Sequence, residues 1–192
     1  FEPANARNVV SVGGALHDNS SDLYASSSHG PTEEGLRGNF IVAPSVGIIS
    51  AAADGDVSSF NDDMRSSTGT SMSTPMAASV TAVIQQMVQD GWIRGGGLDG
   101  AFGGEINSTI NGVNRTEGFV PSGPLLRALL ALSAESLEGG QQGSETIGAA
   151  PDSLQGWGRP NLSRLVDFES QDPSQNIWIH DSFRVVEPEY LS

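Results

Sequence analysis

Two regimes of apolar and polar spacing follow one another along the chain. Residues 8 to 13, Asn-Val-Val-Ser-Val-Gly, are a short apolar run stopped by glycine, which predicts a buried strand. Phe40-Ile41-Val42-Ala43-Pro44 predicts a second buried strand ended by proline, and Val46 to Ser50 a third, very short one. Residues 17 to 38 are polar and rich in Ser, Asp and Gly, which predicts loop with a short edge strand at most. Residues 53 to 68 predict an acidic polar loop.

From Thr70 to Gln89 the period changes. Met72, Met76, Val80, Val83, Ile84 and Met87 recur at helical spacing. Ala77, Ala78 and Ala82 fill other faces, so this helix is expected to be buried nearly all round. Pro75 falls in its first turns, where a missing N–H is tolerated, and Asp90-Gly91 is a C-terminal stop. Residues 95 to 123 hold nine glycines and predict a long flexible loop, with Asn111-Gly112 as a hairpin turn. A second helix is expected from about Ser122 to Ala134. Ser122 caps it, Pro124 lies in its first turn, and Leu125, Leu126, Leu129, Leu130 and Leu132 supply its core face. Residues 138 to 153 read as loop. Gln155 to Leu162 is a punctuated stretch with a short helix after it, and Ile177-Trp178-Ile179 reads as a strand. There are no internal repeats.

At 192 residues the chain is one domain or a large part of one. No apolar run approaches the ~20 residues that a membrane span needs. The opening Phe-Glu-Pro-Ala-Asn-Ala-Arg lacks the pattern of a signal peptide. The 23 acidic residues outweigh the nine basic ones, for a net charge of -14. All nine are arginine, so Walker-type phosphate loops, Schiff-base chemistry and Ser-Lys dyads are excluded within the chain. The acidity also argues against nucleic-acid binding, which needs a phosphate-neutralising surface. With no cysteine, disulfides, thiolate metal sites and a cysteine nucleophile are excluded as well.

The chemistry-bearing stretch is Gly69-Thr70-Ser71-Met72-Ser73-Thr74-Pro75, which opens the first helix. A serine here sits at a helix N-terminus, where free N–H groups and the helix dipole favour developing negative charge. The Ser71 N–H can itself face an oxyanion, and Gly69 allows unusual backbone angles. The segment is not Gly-x-Ser-x-Gly, so an α/β-hydrolase elbow is not matched. Local physics alone leaves two readings of Ser71: a nucleophile, or a cap on a buried helix.

Gly-Thr-Ser-Met followed by a small residue, any residue and Pro resembles the nucleophile motif of subtilisin-like serine proteases, the subtilases. Asn5-Ala6-Arg7-Asn8-Val9-Val10-Ser11-Val12-Gly13 is similar to the family strand about sixty residues before that motif. Ser27-Ser28-His29-Gly30-Pro31-Thr32 resembles the family's Ser-Ser-Arg-Gly-Pro-Thr turn. Phe40 to Ala51 resembles its Val-Ala-Pro-Gly strand and turn. Pro121 to Ala134 and Gln155 to Leu162 resemble its Leu-rich helix and its Gly-Trp-Gly-Arg-Val-Asn-Leu segment. The last two are similar to the large bacterial subtilases, such as oxidant-stable alkaline proteases, that carry a C-terminal β-sandwich. The resemblance runs over residues 1 to 168 in the same order.

That resemblance implies an α/β fold, a three-layer sandwich with a mainly parallel sheet, incomplete in this chain. Residues 1–168 would be the C-terminal part of the catalytic domain, and residues 169–192 a linker or the start of a β-sandwich. Ser71 would be the nucleophile of a serine endopeptidase acting on peptide or protein substrates through an acyl-enzyme. Its N–H would donate to the oxyanion, Thr70 would support that pocket, and Gly69 and Thr68 would shape the substrate side. Met72 would lie behind the nucleophile, where oxidation damages activity. Pro3 would sit beside the specificity pocket after a cis Glu2–Pro3 bond. The family's Asp, His and oxyanion Asn lie further upstream than the seventy residues that precede Ser71. The resemblance therefore implies that an upstream segment of the same protease is a partner, and that the chain alone is inactive. The alternative is a non-catalytic subtilase-derived binding or structural module, or an inactive fragment. His17, His29 and His180 read as surface residues, not as a rewired triad.

No cofactor is expected for catalysis. Asp54-Gly55-Asp56 and Asn61-Asp62-Asp63 present clustered oxygens that suit either calcium or a solvated acidic loop. The resemblance implies a structural calcium through carbonyls near Ala4 to Val9. It also implies a secreted or periplasmic location, with neither nucleic acid nor membrane as a partner.

Overall fold

A computed structural model describes residues 4, 6, 8–17, 20–96, 108–110, 113–167, 169 and 177–181. The Glu2–Pro3 bond and the Asn111-Gly112 turn lie outside the described residues. In chain order the elements are β1 (Val12–Ala15), β2 (Ile41–Pro44), β3 (Ile48–Ala51), β4 (Met64–Ser67), α1 (Thr70–Gln89), β5 (Arg94–Gly96), β6 (Ser108–Ile110), β7 (Val113–Arg115), α2 (Gly123–Ser133), β8 (Ala134–Glu135), β9 (Gln141–Gln142), β10 (Glu145–Thr146), β11 (Arg159–Pro160), a 3-10 turn at Leu162–Arg164 and β12 (Trp178–His180). The chain divides into one unit of Phe1–Val80 with Ser133–Asn161 and another of Thr81–Leu132 with Leu162–Ser192.

In the first unit, β1 and β2 pair in parallel, from Val12 opposite Ile41 to Ala15 opposite Pro44. Ile41, Val42 and Ala43 are all buried, as an apolar run in a parallel strand requires. The outer side of β2 is also occupied. The Val42 N–H donates to the Gly158 carbonyl, and the Trp157 N–H donates to the Phe40 carbonyl. Ala15, Leu23, Val42, Leu137, Ile147 and Leu154 form the core around this strand. Gly158 lies at φ +105, and a side chain there would collide with the Glu135 carbonyl.

Five strands of this unit escaped the pattern of the sequence, two of them the short pair β8 and β11. β4 lies inside the stretch read as acidic loop and pairs antiparallel with β3. β9 and β10 form a hairpin inside the stretch 138 to 153 read as loop. β4 and β10 bury no residue and β9 buries only the polar Gln142, so no apolar alternation marks them.

In the second unit, β5 and β12 pair in parallel, which gives the strand read at 177–179 a partner. β6 and β7 pair antiparallel within the glycine-rich stretch expected to be loop throughout. Ile84, Met87, Val88, Ile93, Leu129, Leu130, Leu165, Val166 and Ile179 are buried there. The N-terminus of α2 is capped twice over. The Leu125 N–H donates to Ser122 Oγ, and Asp181 accepts from both the N–H and the hydroxyl of Ser122. Helix α1 stops at Gly91, at φ +72, with the Gly91 N–H on the Val88 carbonyl and the Trp92 N–H on the Met87 carbonyl. That paired arrangement satisfies two carbonyls of the last turn and needs the glycine.

The chain is thus α/β in content. Its described strands pair only two by two, with two parallel and four antiparallel pairs. The broad, mainly parallel sheet expected from the sequence is not assembled among the described residues. Helix α1 also differs from expectation. Ser73, Ala77, Ile84, Met87 and Val88 are buried, but Pro75, Met76, Ala78, Ser79, Ala82 and Val83 are exposed. One stripe of the helix is covered and the small-residue face is not.

Candidate active site

The site grows from the junction between the first unit's strands and α1. Gly69 precedes the helix at φ +146, a conformation that a residue with a Cβ rarely adopts. Space is not the constraint, because a Cβ added at Gly69 would have the Ser71 nitrogen as its nearest neighbour, at 4.0 Å. Two hydrogen bonds fix the turn from outside. The Gly69 N–H donates to the Ser45 carbonyl at 2.8 Å, and the Gly47 N–H donates to Thr68 Oγ1 at 2.9 Å. Ser45 is in turn held by β1, its N–H and its hydroxyl both donating to the Ala15 carbonyl. The nucleophile segment is therefore tied to the end of the buried strand pair.

Thr70 begins the helix and Ser71 follows it, exposed. The Met72 N–H donates to the Gly69 carbonyl at 3.0 Å, which closes the first turn tightly. The Thr74 hydroxyl donates back to the Thr70 carbonyl at 3.0 Å. Pro75 is the sixth helical residue, one turn later than the position where a missing N–H costs nothing. The lost bond is the one to the Ser71 carbonyl, four residues back. The serine thus has an exposed side chain, an N–H in the unpaired first turn and a carbonyl without its usual helical donor.

Thr68, Gly69, Thr70, Ser71 and Met72 are brought together as one continuous segment, with Thr68 exposed and Met72 half-buried. Among the described residues no side chain hydrogen-bonds to Ser71. His17, His29 and His180 are exposed, and His29 Nδ1 lies 2.7 Å from the Gly30 carbonyl. Sequence reasoning missed two residues here. Ser45 anchors the turn, and nothing but its place after the strand-ending Pro44 marked it. Ser73 is fully buried and its hydroxyl has no partner among the described residues, a rarity that its position in the motif did not reveal.

The acidic loop closes on itself. Asp54 accepts from the Asp56 N–H, from Ser59 Oγ and from Asn61 Nδ2, and Asp56 accepts from the N–H and hydroxyl of Ser58. The Ser59 hydroxyl, followed by the Asp56 amide, lowers the Asp54 carboxyl below the ordinary 3.8. The Ser58 hydroxyl and amide do the same for Asp56. Among the described residues no three His, Asp or Glu side chains gather as a metal ligand set. A cleft of about 380 Å³ lies elsewhere in the first unit, lined by Ala4, Ser28, His29, Glu33, Glu34 and Asn39 among others.

With this geometry in place, comparison with known proteins decides the family. The model of the subtilase family matches residues 2–158. This chain belongs to the subtilase family. Two serine protease/ABC transporter B family proteins of Dictyostelium discoideum are similar to it. The protein tagD is 30% identical over 182 residues, covering 84% of this chain and 9% of the relative. The protein tagB is 28% identical over the same share of each. The chain thus spans about 9% of the length of these relatives. Among the described residues no helix is long and apolar enough to cross a membrane.

Proposed function

We propose that this subtilase chain carries the nucleophile of a serine endopeptidase, Ser71. The observation behind the reading is the exposed Ser71 at the N-terminus of α1, on a turn pinned by Ser45, in a segment matched to the family. Ser71 Oγ attacks a peptide carbonyl and gives up its proton to a base. The carbonyl oxygen becomes an oxyanion facing the Ser71 N–H, with Thr70 beside it and Thr68 and Gly69 shaping the substrate side. Collapse expels the amine and leaves an acyl-enzyme, which water hydrolyses.

The base, its orienting Asp and the oxyanion Asn come, in this reading, from an upstream segment. The uncovered face of α1, with Met76, Ala78, Ala82 and Val83 in solvent, supports such a partner. That segment would complete the three-layer sandwich over residues 1–168, with 169–192 leading into a linker or β-sandwich. Secretion belongs to the same reading. So does a structural calcium, for which backbone carbonyls near Ala4 to Val9 would be the hard oxygen donors. A substrate that is peptide or protein, rather than nucleic acid, suits the net charge of -14.

A second reading, a non-catalytic module, is favoured by one observation: no base reaches Ser71 among the described residues. Fluorophosphonate labelling of the native protein, read by intact mass alongside a census of its chains, separates the two. Labelling that is lost in Ser71→Ala supports the peptidase. An unlabelled protein that contains the upstream segment supports the module.

A further inference from the structure

Large apolar side chains left in solvent are normally scattered singly. The β3–β4 hairpin carries four of them. Val57 and Phe60 at its tip are fully exposed, at 106% and 102%, and Ile49 and Met64 on its strands are exposed at 66% and 77%. The pairing puts Ala51 opposite Met64 and Ile49 opposite Ser66. Ile49, Ala51 and Met64 therefore share one face, with Ile49 and Met64 as diagonal neighbours within side-chain reach.

The connection between its strands is charged with one sign, the hairpin's basic residue being Arg65 on β4. Residues 53 to 63 hold Asp54, Asp56, Asp62 and Asp63, with no basic residue among them. An apolar surface with an acidic rim selects its partner: apolar side chains for contact, and Lys or Arg beside them for the rim. The hairpin also leads straight to the candidate nucleophile, since β4 ends at Ser67 and Ser71 follows four residues later.

We infer that the β3–β4 hairpin is an exosite that holds a cationic, apolar stretch of the protein substrate beside Ser71. The inference rests on the peptidase reading and names its substrate class.

The test uses the full-length protein carrying Ser71→Ala, so that a peptide is bound and not cut. Two fluorescein-labelled peptides are titrated by anisotropy: one alternating Lys with Leu and Phe, the other with each Lys replaced by Glu. The Lys peptide should bind at least tenfold more tightly, and Phe60→Ser and Val57→Ser should each weaken it about fivefold. In the Ser71 protein these two substitutions should leave kcat/KM on a short chromogenic amide unchanged. Equal binding of the two peptides, or binding indifferent to both substitutions, overturns the exosite. A thermal midpoint lowered by Phe60→Ser would show the protein's own chain covering the patch and would overturn it too. So would self-association that Phe60→Ser abolishes. Fluorophosphonate labelling keeps the two proposals apart. Labelled protein without peptide preference sinks the exosite alone, and peptide preference without labelling sinks the peptidase alone.

Discussion

The Gly69 N–H and the Ser45 carbonyl meet at 2.8 Å, and this one bond couples the strand pair β1–β2 to the mouth of helix α1. Ser45 is fully buried and bonded twice to Ala15, so its carbonyl is a fixed point. Gly69 supplies the other half by holding φ +146. The exposed Ser71 is therefore positioned by a buried scaffold two residues before it, as a preorganised nucleophile requires.

Gly69→Ala should show that this coupling is conformational. The added methyl meets open space, so the cost is the disfavoured backbone, about 1–3 kcal/mol. For a chain of this size that is a fall of roughly 2–10 °C in thermal midpoint. Fluorophosphonate labelling of Ser71 should slow more than stability alone explains. An unchanged midpoint with unchanged labelling would refute the role given to the turn.

Ser73→Ala should act in the opposite direction. The Ser73 hydroxyl is fully buried and lacks a partner among the described residues, a group whose desolvation costs about 1–3 kcal/mol with nothing returned. Alanine keeps the volume closely matched and is the better helix former. Thermal melting should rise by a few degrees. A fall would mean that the hydroxyl has a partner in the folded protein.

Much of this was legible in the residues. The spacing of Met72, Met76, Val80, Ile84 and Met87 marked α1 from Thr70 to Gln89, the span observed. Ser122 and the leucines after it marked α2 to within one residue. Both helices announce themselves by long periodic patterns with recognisable ends. β4, β9 and β10 did not, because Met64-Arg65-Ser66-Ser67 and Glu145-Thr146 bury nothing and Gln141-Gln142 buries only a polar side chain, so no apolar face enforces alternation. β4 takes its order from β3 across a long connection, and β9 and β10 from each other across the two-residue Gly143-Ser144 turn. At the site, the motif located Ser71, but Ser45 is chemically silent in sequence. Its contribution is a carbonyl, which any residue could offer. The uncovered face of α1 was misjudged for a related reason, since alanines and a valine look the same whether or not something packs on them.

Acid should loosen the 54–61 loop. Asp54 and Asp56 titrate below 3.8 in the folded chain, because bonds from Ser59 and Ser58 favour the ionised forms. A depressed folded value means that the contribution is present above 3.8 and is lost as pH falls through the lower folded value. Carboxyl carbon NMR should show both midpoints under 3.8. Ser59→Ala should move Asp54 up towards 3.8 and leave Asp56 in place. Two midpoints at 3.8 in the unaltered protein would refute the bonded loop.

The largest single-residue loss should come from Gln155, which lies in the punctuated stretch before Trp157. Its side chain is fully buried, and both ends of its amide are used. Oε1 accepts from the Leu137 N–H at 2.7 Å, while Nε2 donates to the Gly148 carbonyl at 2.6 Å and to Ser136 Oγ at 3.2 Å. One amide thus staples the loop after β8 to the loop after β10, next to the core formed by Leu137, Ile147 and Leu154. Gln155→Leu preserves bulk but strands the buried Leu137 N–H and removes the part-buried bonds to the Gly148 carbonyl and Ser136 Oγ. The orphaned Leu137 N–H costs about 1–3 kcal/mol of the whole chain's stability. Gln155→Glu can still accept from Leu137, yet it sets a carboxylate against the Gly148 carbonyl, so it too should destabilise at neutral pH. Chemical denaturation of the two variants checks this. A loss under about 1 kcal/mol in Gln155→Leu would mean that solvent reaches the amide and that the staple does not hold the two loops together.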